Sequence, residues 1–233
     1  MQQNTAATAQ PISMLPYVLP FALYLLLTQI PLQFPAYYPW LYALCVALVG
    51  LATIYLLRGK GLVRIHGNIL PGILVGIGGI LLWIVLCDLQ LEAAIMSYLP
   101  DWLQPQPRAA FNPFKDIPTP LGQWSFIATR ILGMAVLVPF VEEIFWRGFL
   151  LRWIISPNWQ KIEIGRYSLK SFCWVVLLFT LAHPEWLAAI VYCSLLNLLL
   201  YWKRDLWNCI IAHSVSNLIL AIYVLFTGTW QLW

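Results

Sequence analysis

Ionisable side chains inside an apolar segment are the first candidates for chemistry in this sequence. Residues 141–149, VEEIFWRGF, place Glu142, Glu143 and Arg147 among apolar neighbours. On an α-helix, Glu143 and Arg147 lie one turn apart on the same face, so we expect Arg147 to neutralise Glu143. Glu142 points about 100° away from Glu143 and is predicted to lack a partner on its own helix. An unpaired carboxylate in a medium of low dielectric suits a general acid or base.

Two further apolar segments carry polar residues one helical turn apart. Phe179 and His183 share a face in FTLAH, and His213 and Asn217 share a face in HSVSN. A carboxylate, two histidines and an amide are sufficient for a hydrolytic site. Glu142 and His183 are predicted to hold and deprotonate a water molecule, while His213 and Asn217 donate hydrogen bonds to an oxyanion.

The composition indicates which elements must position these residues. The chain has 233 residues, of which 61% are hydrophobic and 9% are charged. Soluble domains average about 45–50% hydrophobic and about 25% charged residues. A chain of this size buries only about 70–75% of its surface. These values exclude a soluble globule, a disordered chain and a nucleic-acid-binding module, and the net charge of +4 is too small to indicate a polyanionic partner. We therefore predict an all-α, multi-pass integral membrane protein surrounded by the lipid bilayer.

The apolar runs give the number of spans, because about 20 helical residues cross the roughly 30 Å hydrocarbon core. We predict a transmembrane bundle of about seven spans, within a range of six to eight, around an intramembrane polar cavity. The runs cover residues 14–32, 37–57, 69–86, 124–155, 172–182, 186–202 and 206–226.

Proline residues divide this bundle. Pro139 is predicted to kink the long fourth run. The Pro-rich stretch 99–122 cannot be a helix in hydrocarbon and is predicted to be a connection. Two domains are expected: residues 1–123 hold about three membrane helices and this connection, and residues 124–233 form a catalytic helical core.

The distribution of Lys and Arg predicts the orientation. Nine of the thirteen basic residues lie in or beside three regions, 58–68, 156–170 and 203–205: Arg58, Lys60, Arg64, Arg152, Lys161, Arg166, Lys170, Lys203 and Arg204. Since short cytoplasmic loops carry an excess of Lys and Arg, we expect these regions and the N-terminus to be cytoplasmic.

The three motifs, in this order on hydrophobic segments, carry a family resemblance. E-E-x-x-x-R at Glu142–Arg147, F-x-x-x-H at Phe179–His183 and H-x-x-x-N at His213–Asn217 resemble the CPBP family. This is the CAAX-protease and bacteriocin-processing group of intramembrane glutamic endopeptidases, also called Abi-like. The resemblance covers roughly residues 124–226. It implies a glutamate-activated water that cuts a peptide bond of a membrane-associated protein or peptide, with no covalent intermediate, metal or cofactor.

The resemblance also implies roles for individual residues. Those roles are water activation by Glu142 and His183, oxyanion binding by His213 and Asn217, and support of the site by Glu143, Arg147 and Phe179.

Several alternatives use the same residues. Glu142, His183 and His213 could bind zinc as a two-His, one-Glu site, and Cys209, one turn before His213, could be a thiol nucleophile. His183 could simply cap a helix end, and Glu142 could pair with Arg130 or with a histidine. A transporter with a proton-relaying Glu/His set is a further class. So is a non-catalytic membrane immunity or scaffold protein.

Overall fold

The protein is built from helices. The computed structural model describes residues 13–98, 100 and 110–233, and these residues contain no strand. The predicted all-α fold is therefore confirmed. The α-helices are α1 Leu15–Leu27, α2 Gln29–Gln33, α3 Tyr38–Leu57, α4 Leu70–Asp88, α5 Leu91–Met96, α6 Pro113–Asp116, α7 Pro120–Leu132, α8 Val138–Glu143, α9 Leu151–Ile155, α10 Leu169–Leu181, α11 Trp186–Lys203 and α12 Leu206–Thr227.

Six helical segments in the described part of the chain are long and apolar enough to cross a membrane. The protein is thus an integral membrane protein, and the predicted range of six to eight spans is confirmed. The run predicted at 172–182 forms the shorter α10, whose 13 residues rise about 20 Å and fall short of the hydrocarbon thickness. The six segments are Leu15–Gln33, Pro35–Leu57, Leu70–Asp88, Pro120–Ile155, Trp186–Lys203 and Leu206–Thr227.

The fourth segment is not one regular helix. Two π-helical turns, Gly133–Leu137 and Ile144–Leu150, flank α8, which carries both glutamates. Pro139 lies in the first turn of α8, and since proline has no N–H to donate, the irregularity falls where the kink was predicted. The π-turns themselves were not predicted, and such turns occur frequently at functional sites.

The predicted connection over 99–122 is partly helical. Asn112 caps α6 by accepting the N–H of Phe114 at 3.0 Å, and Thr119 caps α7 by accepting the N–H of Gly122 at 3.2 Å. The fourth segment therefore begins at Pro120 and not at Trp124, because proline is well suited to the first turn of a helix. Residues 99 and 101–109 of the predicted connection lie outside the described residues.

Helix α4 packs closely against α12, which carries the third motif. Gly72 and Gly76 are one turn apart, and a Cβ atom there would lie 2.6 Å from the carbonyl oxygen of Asn208 and 2.5 Å from that of Ala212. Only glycine permits this approach, in line with the use of small residues where membrane helices pack closely. A Cβ atom at Gly78 would meet nothing within 4 Å, so Gly78 plays no such part. The division into domains at residues 123 and 124 stays a prediction.

The start of α12 is fixed by a polar cluster at the basic end of the bundle. Asp205 accepts the N–H groups of Trp207 and Asn208 at 3.1 and 3.0 Å, and its Oδ2 lies 3.0 Å from Nε2 of His66. Burial by itself would raise the pKa of the Asp205 carboxyl, but the hydrogen bonds, chiefly those from Asn208, hold the pKa below its usual range. The cluster joins the predicted 58–68 loop to the helix that carries His213.

Candidate functional site

A buried ion pair lies at the centre of the first motif. Nη1 of Arg147 donates to Oε1 of Glu143 at 3.1 Å, and both side chains have no exposed surface. Nδ1 of His213 lies 2.9 Å from the same oxygen. Because a paired carboxylate can only accept, this Nδ1 carries the proton. The predicted i,i+4 pair is present, and His213, which was predicted to bind the oxyanion, also contacts Glu143.

Helix α11 completes the surroundings of Arg147. Nε of Arg147 donates to Oδ1 of Asn197 at 3.1 Å, and Nη2 donates to the carbonyl oxygen of Cys193 at 3.3 Å. The guanidinium, which is costly to bury, therefore has three acceptor atoms on α11 in addition to Glu143, because Sγ of Cys193 also lies 3.2 Å from Nη2. Sequence reasoning missed Asn197, although an amide inside the apolar run of α11 is the kind of residue that signals such a contact.

Glu142 differs from its neighbour. The residue is buried, with 7% of its surface exposed, and its Oε2 has no hydrogen-bond partner. The alternative pairing with Arg130 is not seen, since Nη1 of Arg130 donates to the hydroxyl of Tyr38 at 3.1 Å. This agrees with the prediction that Glu142 has no partner on its own helix.

His183 lies at the end of α10, where it caps the helix. Its Nδ1 lies 2.7 Å from the carbonyl oxygen of Phe179 and must donate to it. The imidazole also stacks on the Phe179 ring, with centroids 4.2 Å apart and 20° between the planes. The capping alternative is therefore correct, but capping uses only Nδ1. In the neutral ring, Nε2 then keeps its lone pair and can accept a proton or a hydrogen bond.

Asn217 contacts the first π-turn and not His213. Its Nδ2 donates to the carbonyl oxygen of Met134 at 2.7 Å. An amide nitrogen has two N–H groups, so one remains for a ligand. The structure thus holds Asn217 against the fourth segment, a contact that the one-face prediction for His213 and Asn217 did not anticipate.

Aromatic rings connect the separate motifs. Phe179 connects the first and second motifs, because its ring stacks on His183 and lies 5.3 Å from Cζ of Arg147, measured to the ring centre. Trp83 of α4 makes edge contacts with His183 at 6.0 Å and with Tyr192 at 5.9 Å, and Tyr192 in turn contacts His213 at 5.8 Å between centroids. Both Trp83 and Tyr192 were missed, because aromatic residues are too numerous in this sequence for any one to stand out. Trp83 shows that the N-terminal half contributes to the site.

The rival chemistries gain no support from the geometry. Within the described residues, no group of three His, Cys, Asp or Glu side chains is arranged to hold a metal ion, so the predicted zinc set is not assembled. The thiol of Cys209 is fully buried and directed at the carbonyl oxygens of Leu196 and Asp205, 3.7 Å from each.

Two cavities lie away from the motif residues. One, of about 820 Å³, is bordered by the segment 31–43, the segment 110–129 and Trp233. The other, of about 530 Å³, lies at the basic end beside Arg64, His66 and Arg204. Neither of these two cavities is the polar cavity that was predicted around the motifs.

Comparison with known proteins finds a family that is similar to the part of the chain that holds the site. Residues 123–219, which contain all seven motif residues, match the family described as type II CAAX prenyl endopeptidase Rce1-like. No curated protein and no solved structure matches the chain. The family match over residues 123–219 confirms the resemblance predicted from the three motifs.

Proposed function

We propose that the protein is an intramembrane endopeptidase that hydrolyses a peptide bond of a membrane-associated protein or peptide through a water molecule activated by Glu142. The observation that carries this proposal is the contrast between the two glutamates. Glu143 is neutralised by Arg147 and contacts His213, whereas the adjacent, buried Glu142 has an oxygen without a partner. A buried carboxylate oxygen without a hydrogen-bond partner is available to take a proton from water.

His183 would orient the water. With its Nδ1 proton given to Phe179, Nε2 can accept one hydrogen bond from the water while Glu142 accepts the other proton. The hydroxide would then attack the peptide carbonyl, and protonated Glu142 would return the proton to the leaving amine. No covalent intermediate is needed in this sequence of steps.

His213 and Asn217 would stabilise the oxyanion. Asn217 retains one N–H after its bond to Met134. Because Nδ1 of His213 donates to Glu143, Nε2 can donate only when the ring carries both protons. Glu143 and Arg147 would thus act on catalysis through His213.

The proposed orientation follows from the basic regions. Residues 58–68, 156–170 and 203–205 would face the cytoplasm. The 13-residue α10 begins near this side and ends at Leu181, two residues before His183, which places that histidine about 20 Å away along the helix axis. The site would therefore lie within the bilayer and beyond its midpoint as seen from the basic side.

Proteolysis can be tested without knowing the substrate. Membrane peptides are compared by mass spectrometry in cells that express the wild type, Glu142→Ala or Glu163→Ala. Glu163 is an exposed glutamate whose nearest cation, on Arg204, is 3.9 Å away, which makes it a matched control. We expect uncleaved substrate to accumulate only with Glu142→Ala. Identical peptide profiles for all three, at equal expression, would favour the immunity or scaffold class.

A purified assay can use the substrate type that the family description names. The peptide is farnesylated on a cysteine followed by two aliphatic residues and a C-terminal residue, and the protein is reconstituted in nanodiscs. Cleavage that survives strong chelator is expected from direct water activation by Glu142 and His183. Cleavage that is lost with chelator and restored by zinc would instead support the metal alternative.

A further inference from the structure

Glu92 caps a helix that is far from it in the sequence. Helix α11 begins at Trp186, and the preceding residue, Glu185, makes no side-chain hydrogen bond to the N–H groups of the first turn. Instead, Oε1 of Glu92, on α5, accepts the N–H of Leu187 at 2.7 Å. The first N–H groups of a helix have no acceptor within the helix, and a carboxylate is favoured at this end of the helix dipole. Glu92 therefore provides the side-chain cap of α11 from another helix.

The capped end of α11 lies close to His183. His183 and Leu187 are on the two sides of the corner between α10 and α11. A second corner, between α4 and α5, turns at Gln90, which has a left-handed φ of 52°, and Trp83 and Glu92 are on its two sides. Trp83 meets the His183 ring edge-on, with centroids 6.0 Å apart, and Glu92 binds Leu187. Two contacts thus join the corners, and one of them involves the imidazole itself.

Helix α10 alone holds His183 only through its last turn. The backbone N–H of His183 donates to the carbonyl oxygen of Thr180 at 3.0 Å, and Nδ1 donates to that of Phe179 at 2.7 Å. Helix ends are the parts of a helix that fray most readily. Pro184 follows and has no N–H with which to continue the helix. The direction in which the imidazole presents Nε2 therefore depends on contacts from outside α10, and the corner between α4 and α5 provides two.

We propose that Glu92 is a positioning residue for His183. By holding the first turn of α11 against the corner between α4 and α5, it keeps the imidazole where Nε2 can accept a hydrogen bond from the catalytic water. This inference rests on the proposed function and adds a residue that lies outside the region 123–219 matched by the family. In this role Glu92 acts on the reaction through His183 and the short loop after it.

The contact itself can be tested without a substrate. Hydrogen–deuterium exchange of residues 180–190 is measured in nanodiscs for the wild type, Glu92→Ala and Glu92→Gln. The side-chain oxygen of glutamine can still accept the N–H of Leu187, whereas alanine offers no acceptor. We expect faster exchange in Glu92→Ala and near-wild-type exchange in Glu92→Gln. Equal exchange in all three proteins would overturn the proposal.

Kinetics tests whether the contact serves His183. Turnover of the farnesylated peptide is measured per folded molecule, well below the Tm of each variant. Because a misplacement of about 1 Å can cost about 100-fold in rate, kcat of Glu92→Ala should fall by about 10–100-fold. KM should stay within about twofold, since His183 is proposed to hold the water and not the peptide. Glu92→Gln should retain most of the wild-type kcat. Thr119→Ala, which removes the cap of α7, should lower the Tm but not kcat.

A double variant distinguishes positioning from a purely structural role. If Glu92 acts through His183, Glu92→Ala should lower kcat no further once His183 is alanine. Three results would overturn the proposal: a kcat of Glu92→Ala within about twofold of the wild type, an equal loss in Glu92→Gln, or losses that multiply in Glu92→Ala/His183→Ala. Cleavage that survives in Glu142→Gln would instead refute the proposed function and leave the dependence of exchange on Glu92 intact.

Discussion

Replacement of Gly76 by alanine tests how α4 positions the helix of the third motif. A Cβ at Gly76 would lie 2.5 Å from the carbonyl oxygen of Ala212, whereas ordinary contacts begin at 3.4 Å, so the atoms must separate by 0.9 Å. The obstacle is backbone on a packed helix and cannot rotate away. Overpacking of this kind typically costs about 1–3 kcal/mol, and we expect the upper part of that range.

The same change should reach the site. The carbonyl oxygen of Gly76 accepts the hydroxyl of Ser216 at 2.8 Å, and that hydroxyl accepts from Tyr192 at 2.8 Å. Moving α12 away from α4 disturbs this chain and shifts His213, which follows Ala212 directly. Specific activity should therefore fall even at temperatures well below the Tm of the Gly76→Ala variant.

Gly78→Ala is the matched control on the same helix. Nothing lies within 4 Å of a Cβ placed there, and alanine is favoured over glycine inside a helix by roughly 1 kcal/mol. In a thermal scan in detergent, Gly76→Ala should lower the Tm by several degrees, while Gly78→Ala should leave it equal or raise it. Equal Tm values for the two variants would refute the close-packing argument.

Three further predictions concern charges. Glu143→Gln leaves buried Arg147 unpaired, which costs about 3–5 kcal/mol of folding stability. The Tm and the yield of this variant should fall, and the double variant Glu143→Gln/Arg147→Gln should recover part of the loss. An unchanged Tm in the single variant would contradict the pairing. Because the pKa of Asp205 is held below its usual range in the folded state, its contribution to stability is present above about pH 4 and lost as the pH falls further. The Tm difference between wild type and Asp205→Ala should therefore shrink in acid. A Tm difference that stays constant with pH would contradict this. Cysteines introduced at Gly61 and Arg204 should react with a membrane-impermeant maleimide only from the cytoplasmic side, and labelling of either from outside would overturn the orientation.

The sequence was sufficient for features that follow from periodicity and composition. The membrane class follows from the apolar content, the pairing of Glu143 with Arg147 from their i,i+4 spacing, and the isolation of Glu142 from its angle on the helix. The order of three short motifs also predicted the family that residues 123–219 match. None of these requires knowledge of how the helices pack against one another.

Contacts between helices could not be predicted in this way. Asn197 and Trp83 reach the site through tertiary packing, and nothing in their local sequence specifies which helix they face. The two π-turns beside α8 were also not predicted, and Asn217, on another helix, donates to the carbonyl oxygen of Met134 in the first of them. The same contact explains why Asn217 and His213 have different partners although they share a face.

The specific activity of Glu142→Gln decides whether Glu142, and not Glu143, is the base. The substitution is nearly isosteric and removes an unpaired buried carboxylate, so the Tm in detergent should match or exceed that of the wild type. Turnover of the farnesylated peptide per folded molecule should fall by at least about 10²–10⁴-fold, the usual effect of losing a general base. A Glu142→Gln protein that is folded and cleaves the peptide within about tenfold of the wild-type rate would contradict the account.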